Sequence, residues 1–117
     1  VSSQLKFHDA LLGAAWPGSF GSSELSQPRF LEMAGQCAAV RRTGSSVLDM
    51  AYMAAGRLDG FCGLGLKPWD MAAASLMVLE AGGLIGDFQG EQTWMESGNV
   101  IAANPKIFTQ MLGFLRG

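Results

Sequence analysis

The segment from Lys67 to Gly83, KPWDMAAASLMVLEAGG, most narrows what this chain can become. Pro68 and Trp69 lead into Asp70, an Ala/Leu/Met-rich run follows, and Gly82 and Gly83 stop it. Such residues lose little rotamer freedom in a helix, so the run reads as a buried helix ending at about Ala81. Gly82 fits the left-handed position just past a helix end, with Leu84 as the hydrophobic contact that closes it. Asp70 stands at the helix mouth, where free backbone N–H groups and the helix dipole favour an ionised carboxylate. That is the state in which an oxygen ligand serves a hard divalent cation. Taken alone the residue reads first as a cap, because aspartate is among the best residues at helix starts.

Apolar runs and turn signals place the other elements around this helix. Asp9 to Ala15 reads as a strand, and the Gly/Ser-rich stretch from Gly18 to Gln27 as a loop. Phe30, Met33, Ala34 and Cys37 recur at helical spacing, so Pro28 to Ala39 reads as an amphipathic helix. Val40 to Arg42 is a short strand, and Gly44-Ser45-Ser46 opens the next helix with a serine as N-cap. That helix is apolar on two faces (Val47, Met50, Ala51 and Ala54; Leu48, Tyr52 and Ala55), which predicts near-complete burial, and Gly56 ends it. Leu58 to Leu64, Leu84 to Phe88 and Val100 to Ala103 read as strands. Gly90 to Gly98 is a polar, hairpin-like excursion around Trp94. Asn104-Pro105 caps a last helix with a stripe of Ile107, Phe108, Met111, Leu112 and Leu115.

Strands alternating with helices predict an α/β fold: a layered α/β/α domain with a mostly parallel sheet of about five strands, covered on both faces. Ligands of such sheets gather at the carboxyl ends of the strands, where the following helices begin. The turns at Thr43 to Ser46 and Pro68 to Asp70 are the two that matter. At 117 residues, with 49% hydrophobic and 15% charged residues, the chain reads as one packed domain. A net charge of −2 gives no footprint for nucleic acid, and no apolar run is long enough to span a bilayer. Cys37 and Cys62 form no C-x-x-C pair and read as buried thiols of a reducing compartment, which makes the cytoplasm the expected location. The chain starts at Val1 without a methionine and enters structure at once, so it reads as a domain taken from a longer protein. His8, Asp59 and Asp87 read as surface or turn residues, Trp69 as a buried anchor, and the seven methionines as core filling.

Three stretches together, TGSSVLDMAYMAAGRLDGF from Thr43, GLGLKPWDMAAASLMVLEAGGLIGDFQGE from Gly63 and NVIAANP from Asn99, resemble the C-terminal half of the inositol monophosphatase family. The W-D-x-A-A element followed by E-A-G-G at this spacing is the specific part. The resemblance is strong from Arg41 to Pro105 and weak before Arg41. It implies the C-terminal half of the inositol monophosphatase/fructose bisphosphatase fold over residues 1–117. It also implies a magnesium-dependent phosphomonoesterase acting on inositol phosphate or a similar small sugar or alcohol phosphate.

On that resemblance Asp70 matches an aspartate that binds magnesium and orients the attacking water, and is the catalytic and metal residue. Gly44, Ser45 and Ser46 match the turn that contacts the alcohol part of the substrate; an N-cap without a ligand is the equal alternative. Gly63 departs from the family, in which a glutamate commonly hydrogen-bonds substrate hydroxyls, and this argues against inositol itself. The family's other ligands, a helix glutamate and a D-P-(I/L/V)-D-G-T motif, belong to an N-terminal half and do not occur here. One carboxylate cannot hold a magnesium cluster, so the fragment alone is expected to be inactive. The expected partners are a small phosphorylated substrate, the protein's own N-terminal half and a second copy of the chain, with neither nucleic acid nor membrane. Two rivals share the fold: a non-catalytic binding or assembly module, and a phosphatase for a 3′-phosphoadenosine-type nucleotide.

Overall fold

The computed structural model describes residues 1–15, 27–41, 45–63, 66, 68–92 and 99–116, of which 27–31, 46, 47, 68 and 70 through their backbone alone. Strands β1 (Leu11–Ala15), β2 (Ala39–Arg41), β3 (Gly60–Gly63), β4 (Leu84–Gly86) and β5 (Val100–Ala103) alternate with helices α1 (Gln27–Gln36), α2 (Ser46–Ala54) and α3 (Pro68–Glu80), and α4 (Pro105–Leu115) follows β5. The expected elements are present, most with shorter bounds. A 3-10 helix over Phe7–Asp9, not foreseen in the sequence, precedes β1. The expected loop from residue 18 to 26 and the excursion around Trp94 lie outside the described residues.

Helix boundaries follow from local chemistry. Gly82, at φ +87°, takes the left-handed position that glycine adopts without penalty. Its N–H donates to the Leu79 carbonyl at 3.1 Å, and the Gly83 N–H donates to the Val78 carbonyl at 2.9 Å. These bonds satisfy the last carbonyls of α3. At the start of α4 the Asn104 carboxamide oxygen accepts from the Ile107 N–H at 2.8 Å, with Pro105 as the first helical residue. The Asn104 amide also donates to the carbonyls of Ser2 and Gln4, at 3.0 and 2.9 Å, which ties the first residues to this helix.

The five strands lie in the order β2-β1-β3-β5-β4. β1 pairs in parallel with β2 and β3, whereas β5 is antiparallel to both β3 and β4. The sheet is therefore mixed, which corrects the expectation of a mostly parallel one. The chain turns directly after β4, over Asp87 to Gln92, where a parallel return would ordinarily enter a helix. The Asp87 carboxylate accepts from the N–H groups of Gln89 and Glu91, both at 2.9 Å, and Glu91 O accepts from the Asp87 N–H at 2.8 Å.

Alternation along the strands divides the core into two layers. Leu12, Ala14, Cys62, Ile101 and Ala103 pack with Met33 of α1 and Ile107, Phe108 and Met111 of α4. Ala15, Phe61, Val100 and Ala102 pack with Met50 and Met53 of α2 and Met71, Ala74 and Val78 of α3. Of the seven methionines expected in the core, those at 33, 50, 53, 71 and 111 are fully buried, Met77 is exposed, and Met95 lies outside the described residues. Two expectations fail on the α2/α3 side. Neither helix is buried all round: Leu48, Leu76, Met77 and Leu79 are exposed. Trp69 is 74% exposed and anchors nothing in the described core. Met71, Ala74, Ser75 and Val78 form the buried stripe of α3, and position 69 falls with 72, 73 and 76 on the opposite face.

Candidate functional site

α2 and α3 both begin after strands that point the same way, β2 and β3, so their N-termini open at the carboxyl ends of the parallel strands. This is the edge at which ligands collect in such sheets. Ser45 is the N-cap of α2, and its side-chain oxygen accepts from the Leu48 N–H at 3.2 Å. The capping reading of that serine is thereby met. Ser46 is the first residue of α2, while Gly44 and the Ser46 side chain lie outside the described residues.

Asp70 is the third residue of α3, in the first turn rather than at the cap. An acid in that turn lies close to the unsatisfied N–H groups and is stabilised by the helix dipole. Its side chain lies outside the described residues.

Gly63, the last residue of β3, is buried. A Cβ at this position would stand 2.6 Å from Leu66 Cδ1 and 3.1 Å from Phe61 Cε2. The space of a side chain at residue 63 is thus occupied by Leu66, the first described residue after the strand. The position is filled by Leu66 and Phe61 and is not an open slot.

Two other described acids, Asp59 and Asp87, have identifiable structural duties. Asp59 closes the start of β1: its carboxylate accepts from the Leu11 N–H at 2.7 Å, and its own N–H donates to the Leu11 carbonyl, also at 2.7 Å. Asp87 organises the turn after β4. Asp49, in the first turn of α2, is fully buried. Sequence reasoning passed over it. Its signal was a lone acid in the apolar run VLDMAYM; it lies beside Gly13, where a Cβ would stand 3.4 Å from Asp49 Cβ, an ordinary contact. His8 is exposed, with Nε2 3.5 Å from an Asp9 carboxylate oxygen.

Among the described residues no group of three or more His, Cys, Asp or Glu could hold a metal ion. Asp59 and Asp87 spend carboxylate oxygens on backbone N–H groups, and Asp70 enters this set only through its backbone position. One carboxylate does not fill the six oxygen positions magnesium demands. The described donor set therefore does not fit a magnesium ion by itself.

The two thiols differ. Cys62 lies in β3 in the core, and burial, with a smaller contribution from the charge of Cys37, pushes its pKa to about 12 from an ordinary 9.0. Cys37 follows α1, which ends at Gln36, and is half-buried; burial raises its pKa as well. The unfolded Cys62 thiol would ionise near pH 9.0, the folded one near 12. Between those values the folded state holds a proton that the unfolded state releases, so this contribution is full below pH 9 and is lost towards pH 12. Urea midpoints measured across that window should fall with rising pH, and more gently in Cys62→Ala. Equal slopes in the two proteins would show that the thiol does not carry the effect.

The model of the inositol monophosphatase family matches residues 14–114. Nus factor SuhB of Escherichia coli is 53% identical over 81 residues, which cover 69% of this chain and 30% of that protein. Nus factor SuhB of Pseudomonas aeruginosa is 42% identical over 117 residues, covering 96% of this chain and 42% of that protein. The native crystal structure of extragenic suppressor protein suhB from Bartonella henselae superposes with a TM-score of 0.90 at 35% identity, over 99% of this chain and 45% of that one. The inositol monophosphatase of Anabaena (Nostoc) sp. superposes with a TM-score of 0.90 at 28% identity, over 98% of this chain and 46% of that one. The chain spans less than half the length of each of these relatives. Matched by the family model over most of its length, and by related folds along nearly all of it, the chain belongs to the inositol monophosphatase family.

Proposed function

We propose that this chain is the C-terminal domain of a magnesium-dependent phosphomonoesterase whose substrate is a small sugar or alcohol phosphate. The observation that carries the reading is the place of Asp70, in the first turn of α3 next after β3, within the W-D-x-A-A element. In this reading Asp70 supplies one oxygen ligand to a magnesium site, and the remaining ligands come from an N-terminal half. Gly44, Ser45 and Ser46 line the side on which the alcohol leaves. The isolated domain is inactive, because its described donors do not fit the ion. Leu66 packed against Gly63 leaves no group at that position to hold a ring of hydroxyls, which favours a substrate other than inositol phosphate.

The exposed apolar face of α3, with Trp69, Leu76 and Leu79, is the surface this reading assigns to contact with the rest of the protein or with a second copy. Among the described residues no helix is long and apolar enough to cross a membrane.

A second reading, an assembly module on the same fold, is favoured by one observation: relatives at 42–53% identity carry the name Nus factor. A partner other than a small molecule then becomes part of the function, and the expectation that excluded nucleic acid loses its footing. Phosphate release from a panel of phosphomonoesters separates the two readings, using a protein of the relatives' full length that carries this domain. Magnesium-dependent turnover of a sugar phosphate or of a 3′-phosphoadenosine compound is the expected result. No turnover on any member would leave the assembly role standing.

A further inference from the structure

A cavity of about 370 Å³ lies between α2 and the β1/β2 side of the sheet, lined by Leu11, Arg41, Asp49, Tyr52, Arg57 and Leu58. We propose that it is a second ligand site, distinct from the crevice at Asp70, for a small hydroxylated oxyanion: a phosphate monoester or a hydroxy acid.

Its position follows from the topology. Val40 packs towards the α1/α4 layer, so alternation turns its neighbour Arg41 to the α2 face of edge strand β2. β2 pairs with β1 through Gly13 and Arg41, so Arg41 stands on the same face as Leu11, two residues along β1. Tyr52 and Arg57 enter from the far end of α2. At 1.5 Å per residue, Tyr52 lies about 10 Å along the helix from Ser45. The cavity thus runs along α2 from Asp49 in its first turn to Tyr52 and Arg57 at its far end, and no residue of α3 lines it.

The chemistry is set by charge. Arg41 and Arg57 both line the cavity and are both exposed. Among the described residues neither has a carboxylate at ion-pair distance. The two guanidinium groups of the lining outnumber its one carboxylate, that of Asp49, in a chain whose net charge is −2, a local reversal of its charge. The Arg57 guanidinium carbon stands 5.5 Å from the centre of the Tyr52 ring, a cation–π contact that fixes its head group beside the cavity. Guanidinium groups present planar forks of donors that match phosphate and carboxylate oxygens. Tyr52 and the buried Asp49 add polar groups to the wall, and these select a ligand with hydroxyl groups over a purely apolar acid. The volume is near the lower end of small-molecule sites, which limits the ligand to metabolite size.

NMR titration of the chain tests this with two probes, glycerol 2-phosphate and malate, which distinguish a phosphate from a carboxylate ligand. The expected result is saturable shifts of the amides of Arg41, Tyr52 and Arg57 with one or both probes by about 10 mM, the range in which a millimolar site fills. Arg41→Gln and Arg57→Gln, both at exposed positions, should each weaken that binding about tenfold or more while the spectrum stays dispersed. Asp70→Asn should leave it unchanged. No saturable shift with either probe, shifts confined to Ser45 and residues 68–70, or unaltered binding in both arginine variants would each overturn the proposal.

Discussion

Replacing Asp70 by asparagine in the full-length protein should lower the magnesium-dependent phosphatase rate by about 100-fold or more. Losses of this size attend removal of one charged contact to a reacting centre. The amide keeps the shape of the side chain and removes its charge, so a metal loses a hard anionic ligand while the helix loses little. The charge at the start of α3 is worth about 0.3–1 kcal/mol to the fold. A urea midpoint near that of the parent, together with a collapsed rate, is the expected pair of results. Equal rates in the two proteins would remove Asp70 from the site and with it the function proposed for this domain.

Phe61→Ala should cost about 3–5 kcal/mol, a large share of the 5–15 kcal/mol that holds a domain together. Phe61 is fully buried at the centre of the α2/α3 layer. Its partners across the sheet are Gly13 on β1 and Ala102 on β5. The ring thus covers a patch of sheet that neighbouring side chains are too small to fill. Truncation leaves a cavity with little that can collapse into it, which sets the cost at the upper end for such changes. Chemical denaturation of the chain measures this directly. A midpoint within experimental error of the parent would mean that the core is not organised around this ring.

Much of the fold could be read from the chain because its signals are local. Gly82 and Asn104 punctuate their helices as their chemistry dictates, and the strand runs of β1, β3 and β5 stand out as apolar segments between turns. Strand direction was not legible in the same way. The run VIAA has the same composition whichever way it points. The clue was the polar stretch between β4 and β5, too poor in helix signal to serve as a crossover. The burial of α3 was misread for a related reason. Its run is apolar on every side, so the periodicity that would reveal the inward stripe is weak, and Trp69, which reads as a buried anchor at the helix start, falls on the outer face. At the candidate site, the positions of Ser45 and Asp70 at helix starts were legible from caps and breakers. Asp49 and the pairing of Arg41 with Arg57 around one cavity were not, because residues 16 positions apart in sequence meet only through the β2–α2–β3 crossover.

The outermost strands, β2 and β4, have three residues each. Unpaired N–H and C=O groups along an edge are templates on which a foreign strand can add, and very short edges blunt that hazard. β2 ends in a charged arginine and β4 runs into the Asp87 turn, so neither offers a ledge long enough to nucleate fibril-like growth. Copies of this chain that meet in solution should do so through helix faces, by contacts that close on themselves rather than propagate.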